Sequence, residues 1–141
     1  IVNENDAITS AIKMEHKQGV FYDNDRLAGL TATALKADAL ILLSNIDALY
    51  SGPPDEADSR RISSYDPNTP IRFGKSSSLG RGGMASKLIA AQRTAQSGIP
   101  VVIASGLDAE ALQSVLRGEN TGTFFAPLTT DNSDSASDPQ T

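Results

Sequence analysis

The sequence predicts an α/β fold in which helices cover a mainly parallel sheet. Two unbroken apolar runs, 39–43 and 100–104, have the character of strands buried on both faces. Each follows a stretch with apolar residues at helical spacing: Leu27, Leu30, Ala34 and Leu35 before the first, Met84, Leu88, Ala91 and Ala95 before the second. Parallel strands joined through helices require right-handed crossovers. No internal repeat is visible.

At 141 residues the chain is sized for one domain with one core. Its 39% hydrophobic and 21% charged content is that of a globular protein in water. No apolar run is long enough to span a bilayer, so no membrane role is expected. A net charge of −5 argues against nucleic acid as a partner, and 5% aromatic content with no Trp leaves few surfaces for bases to stack on. The lack of cysteine excludes disulfides and thiolate metal sites and fits a reducing, cytoplasmic setting. His16 is the one histidine, so neither a histidine metal cluster nor a Ser-His-Asp triad can be assembled within the chain, and it reads as a surface residue.

Taken in order, Ile1 and Val2 run directly into Asn3-Glu4-Asn5-Asp6. That reads as the end of a strand and predicts that the chain is the C-terminal part of something longer. Residues 7–18 are polar and weakly patterned, and 19–22 form a short strand candidate. Asp23-Asn24-Asp25 then opens the first helix, which is expected to end near Ala37 with its leucines inward. One such residue is an ordinary cap; three in a row exceed what capping needs, which leaves a functional role open beside the structural one. The strand 39–43 ends at Ser44-Asn45, beyond the carboxyl end where parallel sheets bind ligands, although a plain turn accounts for them equally well.

Residues 51–78 are rich in Pro, Asp, Ser and Arg and predict an irregular excursion, with Ile62 and 71–73 as short strand pieces and Arg60-Arg61 solvated. A helix from Met84 to about Ser97 follows, then the strand 100–104 and a Ser105-Gly106 turn. A helix over 108–117 is expected to turn Leu112, Val115 and Leu116 inward and to stop at Gly118. Residues 122–125 close the fold as a strand. The domain is thus expected to cover 1–127, with 128–141 a disordered acidic tail.

Leu79-Gly80-Arg81-Gly82-Gly83-Met84-Ala85-Ser86-Lys87 is the most informative stretch. Three glycines allow the backbone to approach a ligand closely. A glycine loop that enters a helix start presents N–H groups and a positive dipole end to an anion. Helical side chains lean toward the N-terminus, so Lys87 can reach back over the loop. A glycine turn before a surface helix with a solvated lysine is the alternative reading. The dinucleotide pattern G-x-G-x-x-A fits 80–85, but no buried strand precedes it, and the Walker pattern fails because Lys87 does not follow a glycine.

These residues together carry a family resemblance. Asn3-Glu4-Asn5-Asp6, Asp23-Asn24-Asp25 with Leu27, the run from Leu40 to Ser44 leading to Leu49-Tyr50, and Gly80-Arg81-Gly82-Gly83-Met84 with Lys87 occur in this order in glutamate 5-kinases. Those enzymes are members of the amino-acid kinase family. Tyr50-Ser51-Gly52-Pro53-Pro54 and the glycine block look particularly like the kinase domains of eukaryotic 1-pyrroline-5-carboxylate synthases. The resemblance spans roughly 1–125. It implies a three-layer sandwich, of which this chain is the nucleotide-binding half, and ATP- and Mg²⁺-dependent phosphorylation of the γ-carboxylate of L-glutamate. It also implies proline as a feedback inhibitor; the exposed edges and apolar faces of half a sheet would favour pairing with another copy, a homo-oligomer.

By the same resemblance, Asp6 and Asn24 hold glutamate, Asp25 orients the catalytic lysines, and Lys87 contacts the transferring phosphate. Ser44 and Asn45, with Arg81, Gly82, Gly83, Met84, Ala85 and Ser86, surround the nucleotide. Asn45 departs from the family's aspartate, which puts a charge-dependent role there in doubt. A carboxylate attacking a phosphoryl group brings two anions together, so catalysis is mostly alignment and charge neutralisation, to which lysine and amide donors are suited. The family draws a second lysine, another glycine loop and a serine from its N-terminal half, so this chain alone is expected not to turn over. The competing readings are another acid kinase of the same fold and a non-catalytic fragment that binds nucleotide or proline.

Overall fold

The structure is a computed structural model that describes residues 24–74 and 83–128. Helix α1 (Asn24–Leu35) leads into strand β1 (Leu40–Ser44), then β2 (Leu49–Tyr50) and β3 (Arg61–Ile62). Helix α2 (Met84–Gln96), β4 (Val101–Ser105), the short α3 (Ala111–Leu116) and β5 (Thr123–Phe125) follow. The main sheet has the order β1-β4-β5; β1 and β4 are parallel, and β5 is antiparallel to β4. The expected α/β fold with parallel strands is therefore present. Among the described residues no helix is long and apolar enough to cross a membrane. The polar stretch 7–18, the strand candidates at 1–2 and 19–22, and the tail beyond 128 lie outside the described residues.

The core lies between one face of the sheet and the two long helices. Leu42, Val101, Ile103 and Phe125 from the strands meet Leu88, Ala90, Ala91 and Ala95 of α2. On α1 the buried residues are Asp25, Gly29 and Ala32, whereas Leu30 and Leu35 are exposed, against the expectation that its leucines face inward. The reason is the close approach of α2. A Cβ on Gly29 would stand 2.5 Å from Thr94 Oγ1, so only small residues fit along this seam, and leucines would hold the helices apart. The two helices run in the same sense, with Asp25 against Ser86 and Lys87 and Gly29 against Thr94.

The second face of the sheet corrects the expectation that both apolar runs are covered on both sides. Leu43 and Phe124 are 49% and 42% exposed, and an open cavity walled by Val115 and Leu116 of α3, by Ser63 and by residues 118–121 lies against part of that face. Helix α3 is also shorter than expected. Residues 105–110 form a turn in which the Ser105 hydroxyl accepts from the N–H groups of Leu107 and Asp108. Ala111 is its buried residue, while Leu112 and Leu116 are exposed and Val115 is half-buried.

The stretch from 51 onward carries more structure than its composition suggests. β2 and β3 pair antiparallel, and the chain then continues beside β5 through the bonds Tyr65 N–H to Phe124 O and Phe124 N–H to Ser63 O. The fully buried Thr123 hydroxyl joins these pieces: it accepts from Leu49 N–H at 2.8 Å and donates to the Ile62 carbonyl at 2.5 Å. Arg60 and Arg61 are exposed as expected, and Arg61 also donates to the Gly122 carbonyl and pairs with Asp47.

Two outcomes follow from this packing. Gly29→Ala gains helix propensity yet should destabilise the fold by about 1–3 kcal/mol, because the new methyl meets Thr94. Urea unfolding of Gly29→Ala alone and with Thr94→Ala checks this, since the second change should recover most of the loss. Thr123→Val keeps the shape but strands a buried N–H and a carbonyl, with an expected cost of about 2–4 kcal/mol by the same measurement.

Candidate functional site

Helix α2 starts at an extended Gly83 (φ −79°, ψ 179°), whose carbonyl accepts from the N–H groups of Ser86 and Lys87. This first turn faces the first turn of α1. Lys87 Nζ donates to Asp25 Oδ1 at 2.8 Å and Oδ2 at 3.0 Å, and Ser86 Oγ donates to Oδ2 at 2.9 Å. The side chains of Lys87 and Asp25 are 13% and 11% exposed. A pair so little wetted is held by its geometry: removing either partner leaves an uncompensated charge out of water.

The parallel strands deliver their ends to the same place. Ser44 and Ser105 are register partners, and Gly106 N–H donates to Ser44 O at 2.6 Å. A cleft of about 420 Å³ opens there, lined by Ser44, Asn45, Ile46, Gly83, Met84 and Lys87, with Leu43, Gly106 and Leu107 completing it. The Ser44 hydroxyl accepts from Ile46 N–H, which fixes the turn, and Asn45 is exposed to the cleft mouth. A second cavity of about 180 Å³ shares Ile46 and Met84 as walls and is otherwise formed by the hairpin, with Tyr50, Pro53 and Arg72 among its lining. Burial pushes the Tyr50 phenol up from its ordinary range, and its hydrogen bond to Asp47 adds to this. Arg72 is tied down by Glu56 and Asp58.

Of the residues singled out from the sequence, Asp25, Ser86 and Lys87 form one bonded group, with the exposed Asn24 beside it at the start of α1. Ser44, Asn45, Gly83, Met84 and Lys87 share one cleft, whereas Ala85 and Ser86 do not line it. Asp6, Arg81 and Gly82 lie outside the described residues. Gly106 and Leu107 were not anticipated. The rule that ligands bind beyond the carboxyl ends of parallel strands points to them as directly as to Ser44 and Asn45, because β4 ends where β1 does. Among the described residues no group of three or more His, Cys, Asp or Glu side chains is placed to hold a metal ion.

Residues 1–105 match the profile of the Amino acid kinase family. Delta-1-pyrroline-5-carboxylate synthase 1 of Oryza sativa subsp. japonica is 51% identical over 129 residues, covering 89% of this chain and 18% of that protein. Glutamate 5-kinase of Bifidobacterium animalis subsp. lactis is 46% identical over 134 residues, 91% of this chain and 33% of that one. The chain therefore spans between about a fifth and a third of the length of these relatives. Among solved structures, an isopentenyl phosphate kinase superimposes with a TM-score of 0.56 at 20% identity, over 72% of this chain and 36% of the other. Uridylate kinase from Archaeoglobus fulgidus gives 0.50 at 23% identity, over 72% and 46%. These two likenesses concern the fold alone.

Asp25→Asn removes the charge beneath Lys87 while keeping the shape of the side chain. It should cost about 3 kcal/mol of stability, the lower end of what breaking a buried pair costs, as measured by urea unfolding.

Proposed function

The chain belongs to the amino acid kinase family, and from that premise we propose that it is part of a glutamate 5-kinase. That enzyme transfers the γ-phosphoryl group of ATP to the γ-carboxylate of L-glutamate, the first step of proline biosynthesis. The observation that carries the reading is the seating of Lys87: its ammonium is fixed on Asp25 at the start of α2 and lines the cleft that also holds Ser44 and Asn45. Identity of 46% to a glutamate 5-kinase supports that choice among acid kinases.

In this reading Lys87 meets the transferring phosphoryl group, and Asp25 orients it. Ser44, Asn45, Gly83 and Met84 border the phosphates, Arg81, Gly82 and Ala85 are assigned to the nucleotide with them as their neighbours in the sequence, and the cavity beside Tyr50 takes the nucleoside. Asp6 and Asn24 hold glutamate. The two anions that must meet are brought together by a fixed cation and by the N–H groups of a helix start, which have no partner within the helix. Mg²⁺ would be held by the ATP phosphates rather than by a protein cage and would supply further charge neutralisation there. The same reading makes proline a feedback inhibitor, the protein cytoplasmic and its assembly homo-oligomeric. The family's second lysine and its other glycine loop are not in this chain, so it does not turn over alone.

A chimera tests the proposal: residues 1–128 replace the matching segment of the Bifidobacterium glutamate 5-kinase. ADP release should depend on glutamate and not on aspartate or N-acetylglutamate. Lys87→Ala in the chimera should lower kcat by about 100-fold or more, the scale of losing one transition-state charge contact. Turnover that prefers another acid overturns the substrate; full activity without Lys87 overturns the site.

A further inference from the structure

We infer that Ser86 is a positioning residue: its hydroxyl locks the Asp25 carboxylate in the orientation that seats Lys87, and it is not a ligand of the nucleotide. The consequence for catalysis rests on the kinase reading above; the positioning itself does not.

The argument is one of proton counting and direction. An ionised carboxylate only accepts hydrogen bonds, so in the 2.9 Å contact with Oδ2 the Ser86 hydroxyl is the donor. A serine has one proton to give, and here it goes to Asp25. A phosphate oxygen, itself only an acceptor, has nothing left to take from this hydroxyl while the contact stands. The position of Ser86 agrees, since it does not line the cleft that Lys87 enters.

Lys87 cannot orient the carboxylate unaided. Its ammonium is a compact charge on a flexible stem, and it bonds both oxygens at nearly equal distance, 2.8 and 3.0 Å, which defines a contact but not a carboxylate plane. Ser86 is one residue earlier on the same first turn, is anchored through its N–H to the Gly83 carbonyl, and reaches Oδ2 alone over a short stem. Two donors from adjacent positions of one helix turn converge on the carboxylate, one on Oδ2 alone and one on both oxygens, and together they fix its plane. With Asp25 buried at 8% exposure, water cannot readily replace the lost donor.

The first arm of the test uses the full chain with 15N-labelled lysine, following the Lys87 side-chain ammonium resonance, assigned through Lys87→Arg. The resonance should be sharp in the parent and in Ser86→Thr, which retains a hydroxyl, and broadened or lost in Ser86→Ala while the backbone spectrum persists. Should the alanine variant unfold, Ser86→Cys, close in volume with a weak donor, is read the same way. An unchanged Lys87 resonance in the folded Ala or Cys variant overturns the positioning role. The second arm measures kinetics in the chimera: Ser86→Ala should lower kcat by about tenfold with KM for ATP within about twofold, and Ser86→Thr should restore it. A raised KM for ATP at unchanged kcat overturns the inference in favour of a nucleotide contact. A chimera that is inactive with Ser86 intact overturns the kinase reading and leaves the resonance arm to decide the positioning.

Discussion

A single buried ion pair between two helix starts organises the site. Asp25 and Lys87 are 62 residues apart in the chain and meet at 2.8 Å with little water around them. Such a pair is stable only where the backbone holds both partners in place, because desolvation of two charges offsets much of their attraction. The seam between α1 and α2 supplies that constraint. Gly29 opposite Thr94, with Ala32 and Ala90 nearby, draws the helices together one turn beyond the pair. The glycine in the middle of a helix is therefore a packing requirement, and its weak propensity is outweighed by the contact it permits.

The sheet sets the other wall of the cleft. β1 and β4 are parallel and in register to their last residues, so Ser44 and Ser105 end side by side in front of the start of α2. The hairpin β2/β3 is joined to this frame through the Thr123 hydroxyl and the bonds along β5. It brings Tyr50 and its cavity against Ile46 and Met84, which also line the cleft. One side thus presents a fixed cation and amide groups, and the neighbouring side presents apolar walls and a phenol that donates to Asp47. A ligand with an anionic end and a flat, largely apolar end matches both.

Local pattern was a sound guide wherever burial and periodicity coincide. The apolar runs at 39–43 and 100–104, the helix after Gly83 and the turn at Ser44-Asn45 all appear within a residue or two of their expected places. It failed where a contact far along the chain sets the outcome. The leucines of α1 looked like its inward face, yet the approach of Thr94 selects glycine and alanine there. The polar composition of 51–74 suggested irregular chain, while Thr123 and Phe124 supply partners that composition cannot reveal. The family resemblance places Ser86 in the nucleotide loop, and the contact of its hydroxyl with a carboxylate 61 residues away is one that no local pattern reveals.

Read without coordinates, the amino-acid order was enough to specify alternation of helices and parallel strands, a glycine-led helix start and the identities of the charged groups, since these depend on neighbours within a few positions. The pairing of Asp25 with Lys87, the direction of the Ser86 proton and the shared ending of β1 and β4 emerged only on folding. They depend on how closely two helices cross and on how two strands register, and both are set by side chains many tens of residues apart.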